Sequence, residues 1–254
     1  MIMNCASLEY PAWEAGEIMQ YSAKYMNTLT INEHIQKAEN DITFMDICAQ
    51  RYLAAGSKGK HITLHGTCGN ATGCFLDGSL LEIFGNAQEA LGDTMNEGKI
   101  IVHGSCGDAL AYGMRGGKIF IEGNCGSRCG IHMKAYQQKS PVVIIGGTTK
   151  DFFGEYLAGG TLIVLNLQQQ DTCCGKYCGV GAHGGKIYLR LEQLSQANCP
   201  SSQLKKADVS TMQNINEILA EYASDLSITL PENMTFYERV IESKNPYEGL
   251  YVDN

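Results

Sequence analysis

Cysteine and histidine carry most of the chemistry this chain has to offer. Cys68, Cys106 and Cys125 each precede a glycine in a Gly-x-Cys-Gly setting, which puts all three at one position of a repeat. Cys106 and Cys125 then fall on consecutive units, one strand spacing of about 4.8 Å apart. Thiols in register either bind a metal or form a column of small buried residues, a role that free cysteine fills well, and the second reading is favoured. Cys173, Cys174, Cys178 and His183 offer a further set of soft ligands, but no C-x-x-C pair occurs anywhere, so neither a zinc ribbon nor an iron–sulfur run is matched. Cys74 and Cys129 sit beside corner glycines and need no function. Gly179-Val180-Gly181-Ala182-His183-Gly184 matches the dinucleotide-binding pattern G-x-G-x-x-G. That chemistry needs a helix N-terminus after the glycines to hold a pyrophosphate, whereas Lys186-Ile187-Tyr188-Leu189-Arg190 alternates as a strand, so these glycines read as turn residues. His103 and Glu122 are outward neighbours with the form of an acid–base pair, but one such pair is ordinarily a surface hydrogen bond. The sequence nominates no catalytic centre.

The elements that position these residues repeat. From Gly98 to Gly117 a short strand with alternating apolar residues is followed by a glycine-marked turn and a Gly-Gly pair that opens the next strand. Equivalent starts fall at Gly59, Gly78, Gly98, Gly117, Ser140, Gly160 and Gly185, a period of about 20 residues with two longer steps. Counting back from each closing glycine gives inward pairs Ile62/Leu64, Leu81/Ile83, Ile100/Val102, Ile119/Ile121, Val142/Ile144, Leu162/Val164 and Ile187/Leu189. Three residues before each next opening stand Phe75, Met95, Met114, Leu157 and Ala182, a second inward wall. Two walls at a fixed offset describe a parallel β-helix of about seven coils, expected to be right-handed because parallel crossovers overwhelmingly are. Glycine belongs at its corners, where positive φ and close backbone approach cost least without a Cβ.

Bulk composition agrees with a folded, non-basic protein: 254 residues, 44% hydrophobic, 18% charged, net charge -8. Only 19 Lys and Arg argue against a phosphate-backbone partner, since nucleic-acid binding needs a concentrated basic face. Eleven cysteines in a long chain, without a basic and apolar leader at the N-terminus, point to a reducing cytoplasm rather than a disulfide scaffold. No apolar run approaches the 18 residues of a membrane span.

Residues 1–57 lack the glycine period and read as an N-terminal cap, with a short helix around Asn32–Ala38 capped by Thr30 or Asn32. Residues 58–191 are the coils. Residues 192–254 form a connector, a helix with Val209, Met212, Ile215, Ile218, Leu219 and Tyr222 at helical spacing, and a tail rich in aromatics. Ser210 and Gln213 stand where a capping box would place them. On the outward face Ile101, Phe120, Val143, Ile163 and Tyr188 share one position on five coils and make an apolar ridge. Soluble monomers rarely leave such a ridge bare, so the chain's own C-terminal helix is expected to cover part of it and a partner subunit or second copy the rest.

Gly104-Ser105-Cys106-Gly107, Gly113-Met114-Arg115-Gly116-Gly117-Lys118-Ile119, Gly123-Asn124-Cys125-Gly126 and Gly159-Gly160-Thr161-Leu162-Ile163-Val164 resemble the GXGXG domain at the C-terminal end of the glutamate synthase large subunit. The lead-in Gln50-Arg51-Tyr52-Leu53, the helix near 211–224 and Phe236-Tyr237-Glu238-Arg239-Val240 are similar to that domain's flanks, so the resemblance covers most of the chain. It implies a right-handed β-helix with no catalytic residue, a scaffold between an amidotransferase that releases ammonia from glutamine and a synthase that carries FMN and an iron–sulfur cluster. On this resemblance the chain itself binds no flavin or metal. Its partners are glutamine amidotransferase-like and FMN-binding synthase-like subunits of an oxidoreductase that makes glutamate from glutamine and 2-oxoglutarate, because a chain starting at Met1 resembles the arrangement with separate subunits. A similar repeat occurs in the C subunit of formylmethanofuran dehydrogenase, also within a redox assembly. The lead-in and the long C-terminal extension favour glutamate synthase. A free-standing β-helix binding module, or an enzyme acting on an acidic polymer, is the reading from a different class.

Overall fold

The computed structural model describes residues 19–39 and 41–241; the aromatic tail segment 245–251 lies outside them. In chain order the elements are β1 (Met19–Ser22), α1 (Thr28–Lys37), β2 (Asp41–Cys48), β3 (His61–Thr67), β4 (Asp77–Phe84), β5 (Glu97–Val102), β6 (Lys118–Ile121), β7 (Val142–Ile145), β8 (Ala158–Val164), β9 (Gly184–Arg190), β10 (Leu204–Lys206), α2 (Val209–Asp225) and β11 (Phe236–Arg239). Strands β1 to β9 pair in sequence order, each parallel to the next, and the antiparallel strands β11 and β10 close the far edge. Eight stacked coils, β2 to β9, make a mainly β solenoid, with α1 packed on its first coil and α2 against its outer face.

At one inward ladder position Ile100 faces Ile119, Ile119 faces Val143, Val143 faces Leu162 and Leu162 faces Ile187. All five are fully buried in one core that runs the length of the stack. Branched side chains suit this face because each packs against its counterparts one strand spacing above and below. Three expectations change here. In β7 the inward residues are Val143 and Ile145, while Val142 and Ile144 face outward. The doubled Gly146-Gly147 causes the slip: Gly147, whose amide donates to Gly123 O, is the closing glycine, and a one-residue shift exchanges the two faces of a strand. On the return wall Leu76 is the buried residue and Phe75 is exposed, because a register irregularity between Asp77 and Ser79 puts Ser79 rather than Gly78 opposite Gly98, and Leu76 stands three residues before it. The stack also begins one coil earlier than the glycine period marks, since Ile42 and Phe44 of β2 face Ile62 and Leu64 within the segment read as a cap. That coil turns on Asp46 and Ala49 at positive φ instead of glycine, which hides it from a glycine count.

The turn segments follow a rule that composition does not reveal. Positive φ recurs at every second residue: Ala109, Ala111 and Gly113 on one coil, Arg128, Gly130 and His132 on the next, then Phe152, Gly154 and Tyr156. The alternation sends successive amides up and down the stack. Ala109 N donates to Ser127 O of the following coil at 2.8 Å, Ala111 N to Leu91 O of the preceding coil at 2.8 Å, and Gly113 N to Ile131 O at 2.9 Å. Every non-glycine residue held there costs roughly 1 kcal/mol. Where glycine is obligatory, the reason is contact: at Gly85, with φ +149°, a Cβ would lie 2.2 Å from Gly66 O, and at Gly92 it would lie 2.5 Å from the Ile119 Cδ1 in the core.

Helix α1 starts earlier than expected, with Asn27 as its N-cap accepting from Thr30 N at 3.0 Å. Asn32 is instead a plug for the first coil: its Nδ2 donates to Tyr52 O at 2.8 Å and its Oδ1 accepts from Ala54 N at 2.9 Å, as a neighbouring backbone would. Helix α2 is capped by Asp208, which accepts from Thr211 N at 2.8 Å, rather than by a box at Ser210 and Gln213.

Candidate functional site

The outward ridge is built from β5 to β9, where one position holds Ile101, Phe120, Ile144, Ile163 and Tyr188 in register. Helix α2 lies on it with Ile215, Leu219 and Tyr222 buried, and Phe236 of β11 joins the same cluster. Tyr222 crosses the Phe120 ring edge-on at 5.5 Å, and its hydroxyl donates to Ile121 O at 3.0 Å. Burial raises the Tyr222 phenol far above its ordinary range, and burial likewise pushes Tyr188 up to about 12. The interface expected at Ile101, Phe120, Val143, Ile163 and Tyr188 is corrected on two counts. Val143 belongs to the inner core, and the other four are at most 5% exposed beneath the chain's own helix and strand, so no partner reaches them while α2 is docked.

A row of charges pins the rim of that contact. Glu221 bridges Lys99 at 2.7 Å and Lys118, whose ammonium is in direct contact with it, and Asp225 reaches Lys99 at 2.6 Å. Burial works against the Glu221 charge, but hydrogen bonds from Lys118 and Lys99 outweigh it and hold the carboxyl below its usual range. A carboxylate depressed in the folded state adds stability above its unfolded value and loses it as the pH falls through the folded one. Near-UV tyrosine dichroism is therefore expected to be steady near neutrality and to decline below about pH 4 as α2 loosens. In Glu221→Gln the acid decline should be shallower and the helix less firmly docked at pH 7, by about 1 kcal/mol. Superimposable acid profiles for the two proteins would refute this pairing.

Beyond the end of α2, the same sheet face carries polar residues. His103 Nε2 lies 2.8 Å from Glu82 Oε1, while the expected neighbour Glu122 is 3.9 Å from Nδ1. His61 approaches Glu82 at 3.9 Å and Asp41 at 3.6 Å, and the rings of His65, Phe84 and His103 stack at 4.8 and 4.3 Å. Glu82 pairs with Ile101, and the residue in register with His103 on the preceding coil is Phe84, so a column reading finds the ring stack but misses this diagonal contact. No nucleophile or enclosed cleft accompanies this pair among the described residues, and it serves to tie neighbouring coils together.

The thiols are placed as packing residues. Cys68, Ala87 and Cys106 bridge in register and Cys125 follows, its amide donating to Thr148 O. Burial raises Cys68 to about 12 and pushes Cys125 well above its ordinary value. In the long insertion Cys173 is raised to about 12 by burial, and Cys174 is raised by its contact with Cys178 and by burial. Metal ligation and nucleophilic attack need thiolates, which these environments oppose. Every described cysteine is free, and the described residues contain no group of three or more His, Cys, Asp or Glu disposed to hold a metal ion. His183 turns its Nδ1 to Gly181 O at 3.2 Å.

Gly179 and Gly181 are turn residues at positive φ, and strand β9 begins at Gly184, so no helix dipole follows the G-x-G-x-x-G sequence. A shallow cleft of about 390 Å³ lies between this turn and Arg239 to Ile241. It has no helix N-terminus to receive a phosphate. No helix among the described residues is long and apolar enough to cross a membrane.

With this geometry in hand, comparison adds two findings. Residues 17–238 match the GXGXG motif family, a span that takes in both capped ends and every coil. An uncharacterized protein of Methanocaldococcus jannaschii is 41% identical over 248 residues, covering 90% of this chain and 94% of its own length.

Proposed function

The chain belongs to the GXGXG motif family, that of the C-terminal domain of the glutamate synthase large subunit, and from that membership we propose that it is a non-catalytic scaffold subunit of a glutamate synthase-type assembly. The observation that carries the reading is the extent of the match, which runs through the plugged first coil, the whole stack and the α2 and β11 cover, so the domain is matched as a unit. The chain's own chemistry is consistent with a scaffold. Burial raises Cys125 and Cys173 away from the thiolate form, the glycine-rich turn lacks a phosphate-binding helix, and the His103–Glu82 pair lies on an open sheet face. FMN and an iron–sulfur cluster do not fit these donor groups and are assigned to a synthase-like partner, with glutamine hydrolysis on an amidotransferase-like partner.

Native purification of the full chain, with the bound proteins identified by mass spectrometry, tests the reading. Amidotransferase-like and FMN-synthase-like chains are expected together in stoichiometric amounts. Recovery of this chain alone, or with formylmethanofuran dehydrogenase-like subunits instead, would count against it.

A further inference from the structure

The structure assigns the partner contact to the turn side of the last coils, away from the ridge that α2 occupies. Two ladders of side chains run there along the stack. In one, the Arg128 guanidinium lies 5.0 Å over the Phe152 ring, which stacks on Tyr177 at 4.9 Å. In the other, Tyr112 meets His132 edge-on at 5.8 Å and His132 stacks on Tyr156 at 5.1 Å. Tyr112, Tyr156 and Tyr177 are 41%, 44% and 58% exposed, and no element of the described chain covers them.

The fold does not ask for bulk at these positions. Arg128, Phe152 and Tyr177 all hold positive φ, at a place where the three coils before them carry Ala71, Ala90 and Ala109. His132 and Tyr156 do the same where Gly113 and Gly181 stand on their neighbours. On the early coils Tyr52 and Phe75 also stand exposed at such positions, but singly, with Ala71 and Thr94 on the coils that follow. Only on the last coils do large side chains occupy strained, exposed turn positions on consecutive coils and stack, an outlier that points to use. Tyrosine and arginine are also the residues that dominate the centres of protein interfaces.

The occupant follows from charge and ring geometry. Around the ladders stand Arg115, Arg128, Lys134, Lys150 and Lys176 against Asp108, Asp151 and Glu155, a local excess of cations in a chain of net charge -8, and Asp108 already accepts from Ser127 N at 2.8 Å. None of the five cations forms an ion pair among the described residues, and Asp151 already accepts from Lys176 N at 2.7 Å. The stacked rings cover one another's faces and present edges and hydroxyls, which suits a protein surface rather than stacked bases. The site therefore fits a folded protein partner that presents carboxylates around an apolar centre, and under the scaffold reading above that partner is a subunit of the assembly.

The test uses the complex formed by co-expressing the full chain with its amidotransferase-like and synthase-like partners. Arg128→Glu and Tyr156→Ser should each keep the wild-type melting temperature and lower recovery of one partner at least tenfold, and raising sodium chloride from about 0.05 to 0.5 M should weaken the wild-type contact. A photo-cross-linking residue in place of Tyr177 should join to an acidic segment of that same partner. Undiminished recovery with both folded variants, or a cross-link to nucleic acid or to a second copy of this chain, would overturn the proposal. If the wild type recovers neither expected partner, the scaffold reading fails separately. The cross-link then decides this surface: an acidic protein segment upholds it, and no protein product overturns it.

Discussion

Aspartate in place of Ile119 is expected to lower the melting temperature by about 10 °C, the counterpart of 3 to 5 kcal/mol in a chain of this size. Ile119 is fully buried, faces Ile100 on one coil and Val143 on the next, and has its Cδ1 against the Gly92 turn across the core. A carboxylate there would be desolvated with no cation in the apolar core around it. Because coils contact chiefly their immediate neighbours, the defect would sit in the middle of the stack and divide it. Val143→Asp should behave alike, now that β7 places Val143 in the same core. A melting temperature unchanged within a degree for either variant would contradict the register.

The sequence made the solenoid readable because its signals are local and repeated. Alternation within β3 to β6 and in β8 and β9 names the inward residues, since each strand is short and ends at a recognisable turn. Where the punctuation is ambiguous, the reading slips by one residue and the alternation of a strand turns that into the wrong face, as at Gly146-Gly147 after β7. Where punctuation is absent, as on the first coil with Asp46 and Ala49 at positive φ, an entire coil goes unseen. The occupant of the ridge was half legible: the spacing of Ile215, Leu219 and Tyr222 gave an apolar helix face, but not how far it would reach along the coils. The turn-side ladders were not legible at all. Arg128, Phe152 and Tyr177 are 24 or 25 residues apart, and they meet only because the turn amides lock successive coils in register.

In the proposed scaffold role this chain is a silent but necessary member of an assembly, and a reconstitution measures that directly. Glutamate formation from glutamine and 2-oxoglutarate would be followed with purified amidotransferase-like and synthase-like chains, with and without this protein. A scaffold that holds two sites together raises their effective concentration, so the rate at dilute subunit concentrations is expected to rise on the order of 100-fold when this chain is added. The chain by itself should show no turnover. Equal rates with and without it, or turnover by the isolated chain, would contradict the scaffold assignment.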